Sequence, residues 1–280
     1  MVSAEQHGHL SDKNYWSDKY AGELPRAVDV GDRGLRNYFR RYHHKEFSRK
    51  LREYGFGKGS RLLEVGCGGS IWLPYFAREH GFEVTGLDYS EKGCAAAEYV
   101  LRRDGVDGKV VCGDLFDPPA EMLGAFDLVT SFGVVEHFES TAEAVAACAR
   151  FVRPGGVVMT IIPNLAGLSG AGVKFFDPKL YAIHVPMTKE QLCGAHEEAG
   201  LEVLDCRYLT PAWFSDWSVP PSDKRRTRRL LRNLLWYPTA AISAGAWVLD
   251  DLIGNRLPGS RWFSPWAICW ARRPAAPQHG

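Results

Sequence analysis

Four acids and two histidines stand where a chain of alternating strands and helices would deliver chemistry: Glu64, Asp88, Asp114, Glu136, His137 and His184. The first lies in Arg61–Ser70, RLLEVGCGGS. There an apolar strand reaches Glu64 and breaks into Gly66-Cys67-Gly68-Gly69, with helix-compatible sequence from Ile71. A strand, a glycine-rich turn and a helix form a unit that binds nucleotide-like ligands, because glycine lets backbone approach the ligand and take conformations that a Cβ forbids. Alone, the turn is a weak signal. Asp88 strengthens it by ending a second apolar strand twenty residues after Gly68, where a doubly wound sheet offers a carboxylate to ribose hydroxyls. Asp114 ends a third strand, VVCGDL, and can accept from an exocyclic amine such as adenine N6. A fourth strand from Phe126 runs out through Ser131-Phe132-Gly133 to Glu136-His137, a loop with an aromatic, a glycine and two titratable groups.

A dinucleotide-binding dehydrogenase is the competing reading. It would want three glycines spaced for a diphosphate at a helix N-terminus. Here an acid stands two residues before the first glycine. That acid repels a diphosphate but can serve an ammonium group.

Taken together, these motifs resemble those of the class I S-adenosylmethionine-dependent methyltransferases, most of all the small-molecule group that includes the quinone-biosynthesis enzymes. The resemblance covers roughly residues 61–208 and the last strand. It implies an α/β fold built on a doubly wound, Rossmann-like, seven-stranded sheet, mostly parallel with the last strand antiparallel. An N-terminal helical lid and a helical insertion before the last strand complete the expectation. It also implies S-adenosyl-L-methionine as cofactor and S-adenosyl-L-homocysteine as product. Glu64, Gly66, Cys67 and Gly68 then match the loop around the methionine part, Asp88 with Tyr89 the ribose site, and Asp114 with Leu115 the adenine contacts. Ser131 and Phe132 match the strand end beside the transferable methyl, and Tyr15, Trp16 and Tyr20 are the lid aromatics. One departure is Ser70 in place of the usual third glycine, which fits if its backbone stays at negative φ.

Methyl transfer from a sulfonium is an in-line displacement, so the protein must hold a nucleophile about 3 Å from the methyl carbon. A hydroxyl acceptor also needs a base. The candidates are His137, His184 and Glu136, with Glu139 nearby in sequence. His137 titrates in a useful range, although an acid–histidine pair at this place can equally brace the loop or contact the cofactor. Asn164, after the fifth strand, and Trp213 and Trp217 are the candidate substrate contacts. No cluster has metal-ligand spacing in the sequence, so no metal is expected, unless a diphosphate acceptor brings Mg²⁺ with it.

The elements that must position these groups follow from pattern. Strands are predicted near 61–65, 83–87, 109–112, 126–131, 156–162 and 201–208, with a last one at 266–272. Helices are predicted near 71–80, 91–103, 141–151 and 188–199, the last opening with a Thr188–Gln191 capping box. This divides the chain into a lid (1–57), a cofactor-binding core (58–208), an insertion (209–265), the last strand (266–272) and a disordered tail (273–280). The lid's cationic run from Arg36 to Lys45, with His43 and His44, reads as a solvated helix face.

The insertion is rich in aromatics and opens with Lys224-Arg225-Arg226-Thr227-Arg228-Arg229. Its apolar stretch is too short and too interrupted to span a membrane. It is either a cap enclosing a large apolar pocket or an element of 224–249 lying on a membrane surface. Both predict a bulky, largely apolar small-molecule acceptor.

Composition narrows the rest. A net charge of +1 over 280 residues gives no argument for nucleic acid. Seven scattered cysteines without a CxxC pair argue against a zinc site or a disulfide framework and fit a reducing compartment. The polar N-terminus lacks a signal-peptide core, so a cytoplasmic location is expected, with peripheral membrane contact or a homodimer compatible with it. Methylation of a lipid-linked glycan at a membrane surface and a non-catalytic cofactor-binding regulator are the alternative functions.

Overall fold

The structure, a computed structural model, describes residues 8–11, 15–16, 26–213, 226–254 and 256–275. Seven strands form one sheet: β1 (Arg61–Val65), β2 (Glu83–Asp88), β3 (Gly108–Cys112), β4 (Phe126–Phe132), β5 (Val152–Pro163), β6 (Glu202–Leu209) and β7 (Trp266–Arg272). Their order is β3-β2-β1-β4-β5-β7-β6, parallel except for β7, which runs antiparallel to both β5 and β6. The strand order reverses between β1 and β4, and the crevice at the carboxyl ends of strands beside such a reversal is where open α/β sheets bind ligands.

Central strands are apolar on both faces, as a sheet covered on both sides requires. Leu63, Val65 and Val129 enter one core with Phe151 and Leu192, while Leu62 and Leu128 enter the other with Phe47, Leu73 and Phe76. The helices that supply these partners are α1 (Tyr38–Tyr54), α2 (Trp72–His80), α3 (Glu91–Arg103), α4 (Thr141–Phe151) and α7 (Lys189–Glu198). Two short helices, α5 (Leu168–Phe176) and α6 (Pro178–Ala182), precede α7. Local chemistry sets their starts: Ser90 caps α3, Ser140 caps α4, and Thr188 with Gln191 forms the anticipated capping box on α7.

Four features depart from the sequence reading. β5 starts at Val152 because Arg153-Pro154-Gly155-Gly156 continues the strand through an irregularity opposite Phe126–Leu128. Cys94 and Cys112 are joined by a disulfide, since β3 pairs with β2 so that Cys112 lies beside Asp88, one turn from Cys94 on α3. Arg273 is tied down rather than part of a free tail, its guanidinium donating to the Val152 carbonyl at 2.6 Å; residues 276–280 lie outside the described residues. The cationic run on α1 is not wholly solvated, because His43 is buried against the core.

Between β6 and β7 the described part of the insertion is one helix, α8 (Arg226–Leu252). Its C-terminal half docks on α1, where Trp247 stacks on Tyr38 with centroids 5.2 Å apart and the Tyr38 hydroxyl donates to Asp250 Oδ2 at 2.6 Å. Arg41 pairs with Asp251 beside them. The opposite face is apolar and exposed, with Leu230, Leu234, Tyr237, Val248 and Leu252 in one outward stripe. No helix among the described residues is long and apolar enough to cross a membrane.

Candidate active site

A cavity of about 810 Å³ opens at the carboxyl ends of β1, β2 and β4. Glu64, Gly66, Gly68, Asp88, Tyr89, Asp114, Leu115 and Phe132 all line it, so most of the expected cofactor residues, drawn from four strand ends, meet in one space. Gly66 has φ +71°, and a Cβ there would stand 2.4 Å from Val134 Cγ2, so only glycine keeps the turn open. Ser70 is not among the residues with positive φ, which removes the difficulty raised by the missing third glycine. The Gly68 amide donates to Asp88 Oδ2 at 2.8 Å and the Ser90 amide to Oδ1 at 2.8 Å. Asp114 is held in the same manner, Oδ1 accepting from the Phe116 amide at 2.9 Å.

Glu64 is the electrostatic oddity of this wall. Burial pushes its carboxyl up to about 8, nearby Asp88 adds to the rise, and the Ser70 hydroxyl works against it. Its Oε2 is buried without a hydrogen-bond partner among the described residues. A buried acid in this state calls for a cation. The ammonium of a methionine moiety fits that atom, and the oriented carboxylates of Asp88 and Asp114 fit ribose hydroxyls and an adenine amine. The residues present therefore suit S-adenosylmethionine.

Three expected cofactor residues sit elsewhere. Cys67 is buried behind the turn with its sulfur toward Gly86, and Ser131 is wholly buried within the sheet. Tyr15 stands outside the cavity with its ring edge-on to Trp16, centroids 5.1 Å apart. Trp16 does line the cavity, fixed by an indole N–H donated to Ser11 Oγ at 2.7 Å. Tyr20 lies outside the described residues.

The three candidate catalytic groups converge. One side-chain atom each of Glu136, His137 and His184 lies within 4.8 Å of the others, on the wall of the same cavity. Two links hold the segments together: the Val185 amide donates to the Glu136 carbonyl at 2.7 Å, and His137 Nδ1 donates to the Ile183 carbonyl at 2.6 Å. His184 Nδ1 donates to the Leu180 carbonyl at 2.6 Å. A carbonyl can only accept, so in both neutral rings Nδ1 carries the proton and Nε2 is the basic nitrogen. Such a trio can handle a proton or hold a divalent ion. Spacing along the chain concealed it because His184 comes from a distant segment.

The expected substrate contacts are placed differently. Asn164 is fully buried and its amide donates to the carbonyls of Arg261 (2.8 Å) and Ser264 (2.9 Å), so it pins the approach to β7. Trp213 packs on Phe39 and Trp247, with centroids 4.1 and 5.1 Å away, rather than on the cavity. Trp217 lies outside the described residues. Sequence reasoning missed His9, Trp72 and Trp266, which line the cavity. Trp72 stacks on Phe132 at 5.4 Å and 12°, and its place on the first turn after the glycine loop was the available signal.

Comparison with known proteins matches the core of the fold. The model of a methyltransferase domain matches residues 63–160. A ubiquinone biosynthesis O-methyltransferase from Aromatoleum aromaticum is 42% identical over 102 residues, covering 36% of this chain and 42% of the relative. The enzyme of the same description from Dechloromonas aromatica is 38% identical over 166 residues, covering 57% and 62%. The chain thus spans about half the length of the curated relatives it matches. The crystal structure of the cyclase SpnF superposes with a TM-score of 0.56 at 19% identity, covering 98% of this chain and 97% of that one. A Haemonchus contortus phosphoethanolamine N-methyltransferase bound to S-adenosylhomocysteine gives 0.53 at 19% identity, covering 82% and 53%. These structures speak to the fold, and the matched stretch, residues 63–160, is a methyltransferase domain that carries the glycine turn and the three strand-end carboxylates.

Proposed function

We propose that the protein transfers a methyl group from S-adenosylmethionine to a bulky, largely apolar small molecule, at a hydroxyl of that acceptor. The observation that carries this reading is the convergence of His137, His184 and Glu136 on the cavity that also holds the cofactor carboxylates. Glu64, the Gly66–Gly68 turn, Asp88 and Asp114 would hold the cofactor, and S-adenosylmethionine, when bound, supplies an electrophilic methyl on a sulfonium. The basic Nε2 of His137 takes the acceptor's proton, and the Ile183 carbonyl keeps the ring in the tautomer that can do so. Glu136 and the second imidazole stabilise the charge that results. Phe132, Trp72 and Trp266 give the remaining wall an apolar, aromatic character that suits a hydrophobic acceptor.

Calorimetric titration with S-adenosylmethionine and S-adenosylhomocysteine, followed by mass spectrometry of cell extract incubated with labelled cofactor, tests this. Micromolar binding and a labelled apolar product support it. Binding without product under all conditions would favour a regulatory cofactor-binding protein, and absence of binding would overturn the site.

A second reading concerns where the acceptor is met. The outward stripe of α8 is apolar, and the sequence at its N-terminus is a cationic run. That pairing suits an amphipathic helix lying on an anionic membrane surface and favours a lipid-like or lipid-linked acceptor. Flotation with anionic liposomes supports this reading, and a concentration-dependent dimer without flotation replaces it.

A further inference from the structure

The Cys94–Cys112 bridge, with Cα atoms 6.0 Å apart, lies beside two of the strand-end acids. Cys112 ends β3 and immediately precedes Gly113 and Asp114, while Cys94 stands in the first turn of α3. Across the β2–β3 pair, Cys112 is in register with Asp88. The Gly113 amide donates to the Asp88 carbonyl at 2.9 Å, and Cys94 Sγ lies 3.3 Å from that same oxygen. Asp88, Gly113 and Asp114 all line the large cavity. The bridge therefore ties the start of α3 to the end of β3 where these strands deliver their acids.

This tie matters because β3 is an edge strand, held on one side by β2. A covalent link to α3 narrows the positions open to the segment carrying Asp114, and so lowers the ordering cost of binding there. The two sulfurs differ in access: Cys94 is buried, whereas Cys112 is exposed. A thiol from solvent can reach the bridge at Cys112. The sulfur that would leave, Cys94, sits at the N-terminal turn of a helix, where a thiolate is favoured.

We propose that Cys94–Cys112 is a thiol–disulfide switch that sets affinity on the ribose and adenine side of the cofactor site, tighter when bonded and weaker when open. The inference rests on the methyltransferase reading and adds a control to it. Opening takes two exchanges with a small thiol such as glutathione. The first thiolate bonds to the Cys112 sulfur and releases Cys94, which takes up a proton. The second attacks the glutathione sulfur of that mixed disulfide, releases Cys112 and departs as glutathione disulfide. Two glutathiones thus lose two electrons, and the protein sulfurs gain them together with the two protons that the glutathiones gave up. The freed Cys94 thiol can donate to the Asp88 carbonyl, which its sulfur cannot do while bridged. Exchange with glutathione disulfide closes the bridge again.

The test uses the full chain equilibrated in glutathione buffers of stepped thiol-to-disulfide ratio, with S-adenosylhomocysteine as the probe. Alkylation after acid quenching, read by mass spectrometry, gives the state of Cys94 and Cys112, and calorimetry gives the affinity. Affinity should fall about five-fold or more on opening, the low end of couplings between two sites. Linkage demands the reciprocal effect: saturating S-adenosylhomocysteine should lower the midpoint potential of the pair by about 20 mV, the same five-fold factor at about 30 mV per decade. Cys112→Ser, a change at an exposed position, should bind like the opened wild type and ignore the glutathione ratio. Equal affinity in both states, a pair that stays bonded or stays free at every ratio, or a Cys112→Ser variant that still responds to glutathione overturns the inference. Failure to bind S-adenosylhomocysteine in either state instead overturns the methyltransferase reading beneath it.

Discussion

The Gly68 amide donates to Oδ2 of Asp88 over 2.8 Å, so the turn after β1 and the end of β2 are fixed to one another before any ligand arrives. Asp88→Ala removes both the proposed ribose acceptor and this tether. Cofactor affinity should fall by about 1.5–3 kcal/mol, the worth of a hydrogen bond to a charged group. Calorimetry on the variant checks it, and unchanged affinity would remove Asp88 from the site.

Glu64 should make cofactor binding depend on pH. Its carboxyl titrates near 8 when buried, and must be ionised to pair with an ammonium. Binding below pH 8 should therefore release a proton, visible as a buffer-dependent enthalpy, and the release should fade above pH 8. Glu64→Gln should abolish the buffer dependence and weaken binding.

Stability should carry two opposite slopes. Burial pushes His43 and His196 down to about 4, against about 6.5 for an unfolded histidine. The unfolded chain takes up those protons first, so stability present above 6.5 is lost as pH falls toward 4. Glu64 acts the other way: the folded chain keeps its proton to about 8 while the unfolded one releases it near 4.5. Its contribution is complete below 4.5 and lost as pH rises to 8. A tenfold difference in proton affinity between the folded and unfolded chain is worth about 1.4 kcal/mol, so melting of the ligand-free protein should peak between these limits. Glu64→Gln should flatten the alkaline side and steepen the rise between pH 4.5 and 6.5, where the two slopes oppose each other.

His137→Ala should lower turnover by about 10²–10⁴-fold, the usual contribution of a general base, with cofactor affinity nearly unchanged. His184→Ala should have a smaller effect and shift the pH dependence of turnover. Collapse of cofactor affinity in His137→Ala would assign that ring to the cofactor instead.

Leu234→Glu places a charge in the outward stripe of α8, outside the cavity lining. It should abolish flotation with anionic liposomes and leave activity on a soluble acceptor intact. Retained flotation would detach α8 from membrane binding.

Much of this site could be read from sequence because strand ends are local. Glu64, Asp88 and Asp114 each follow an apolar run of their own, so pattern alone located the ligand-bearing edge of the sheet. A smaller adjoining cavity, lined by Phe39, His43, Trp72 and Trp266, could not be read in this way. Its walls come from α1, the start of α2 and the start of β7, segments that only the folded sheet brings together. His43 was hidden within a cationic run in which Lys45 is exposed while Arg40, Arg41 and His44 are half-buried, and a helix that alternates between core and solvent every few residues hides its inward members from composition. Asn164 and Trp213 were misplaced for a related reason: a polar or aromatic residue near a strand end can serve the fold's own joints as readily as a ligand.

One joint has a mechanical meaning. Tyr38 and Asp250 fasten α8 to α1, and the next turn of α1 carries His43. A force applied to the outer helix is therefore borne by the helix that carries Phe39 and His43 into a cavity wall. Tyr38→Phe should loosen this joint and lower stability by about 1–3 kcal/mol, read as a drop in melting temperature.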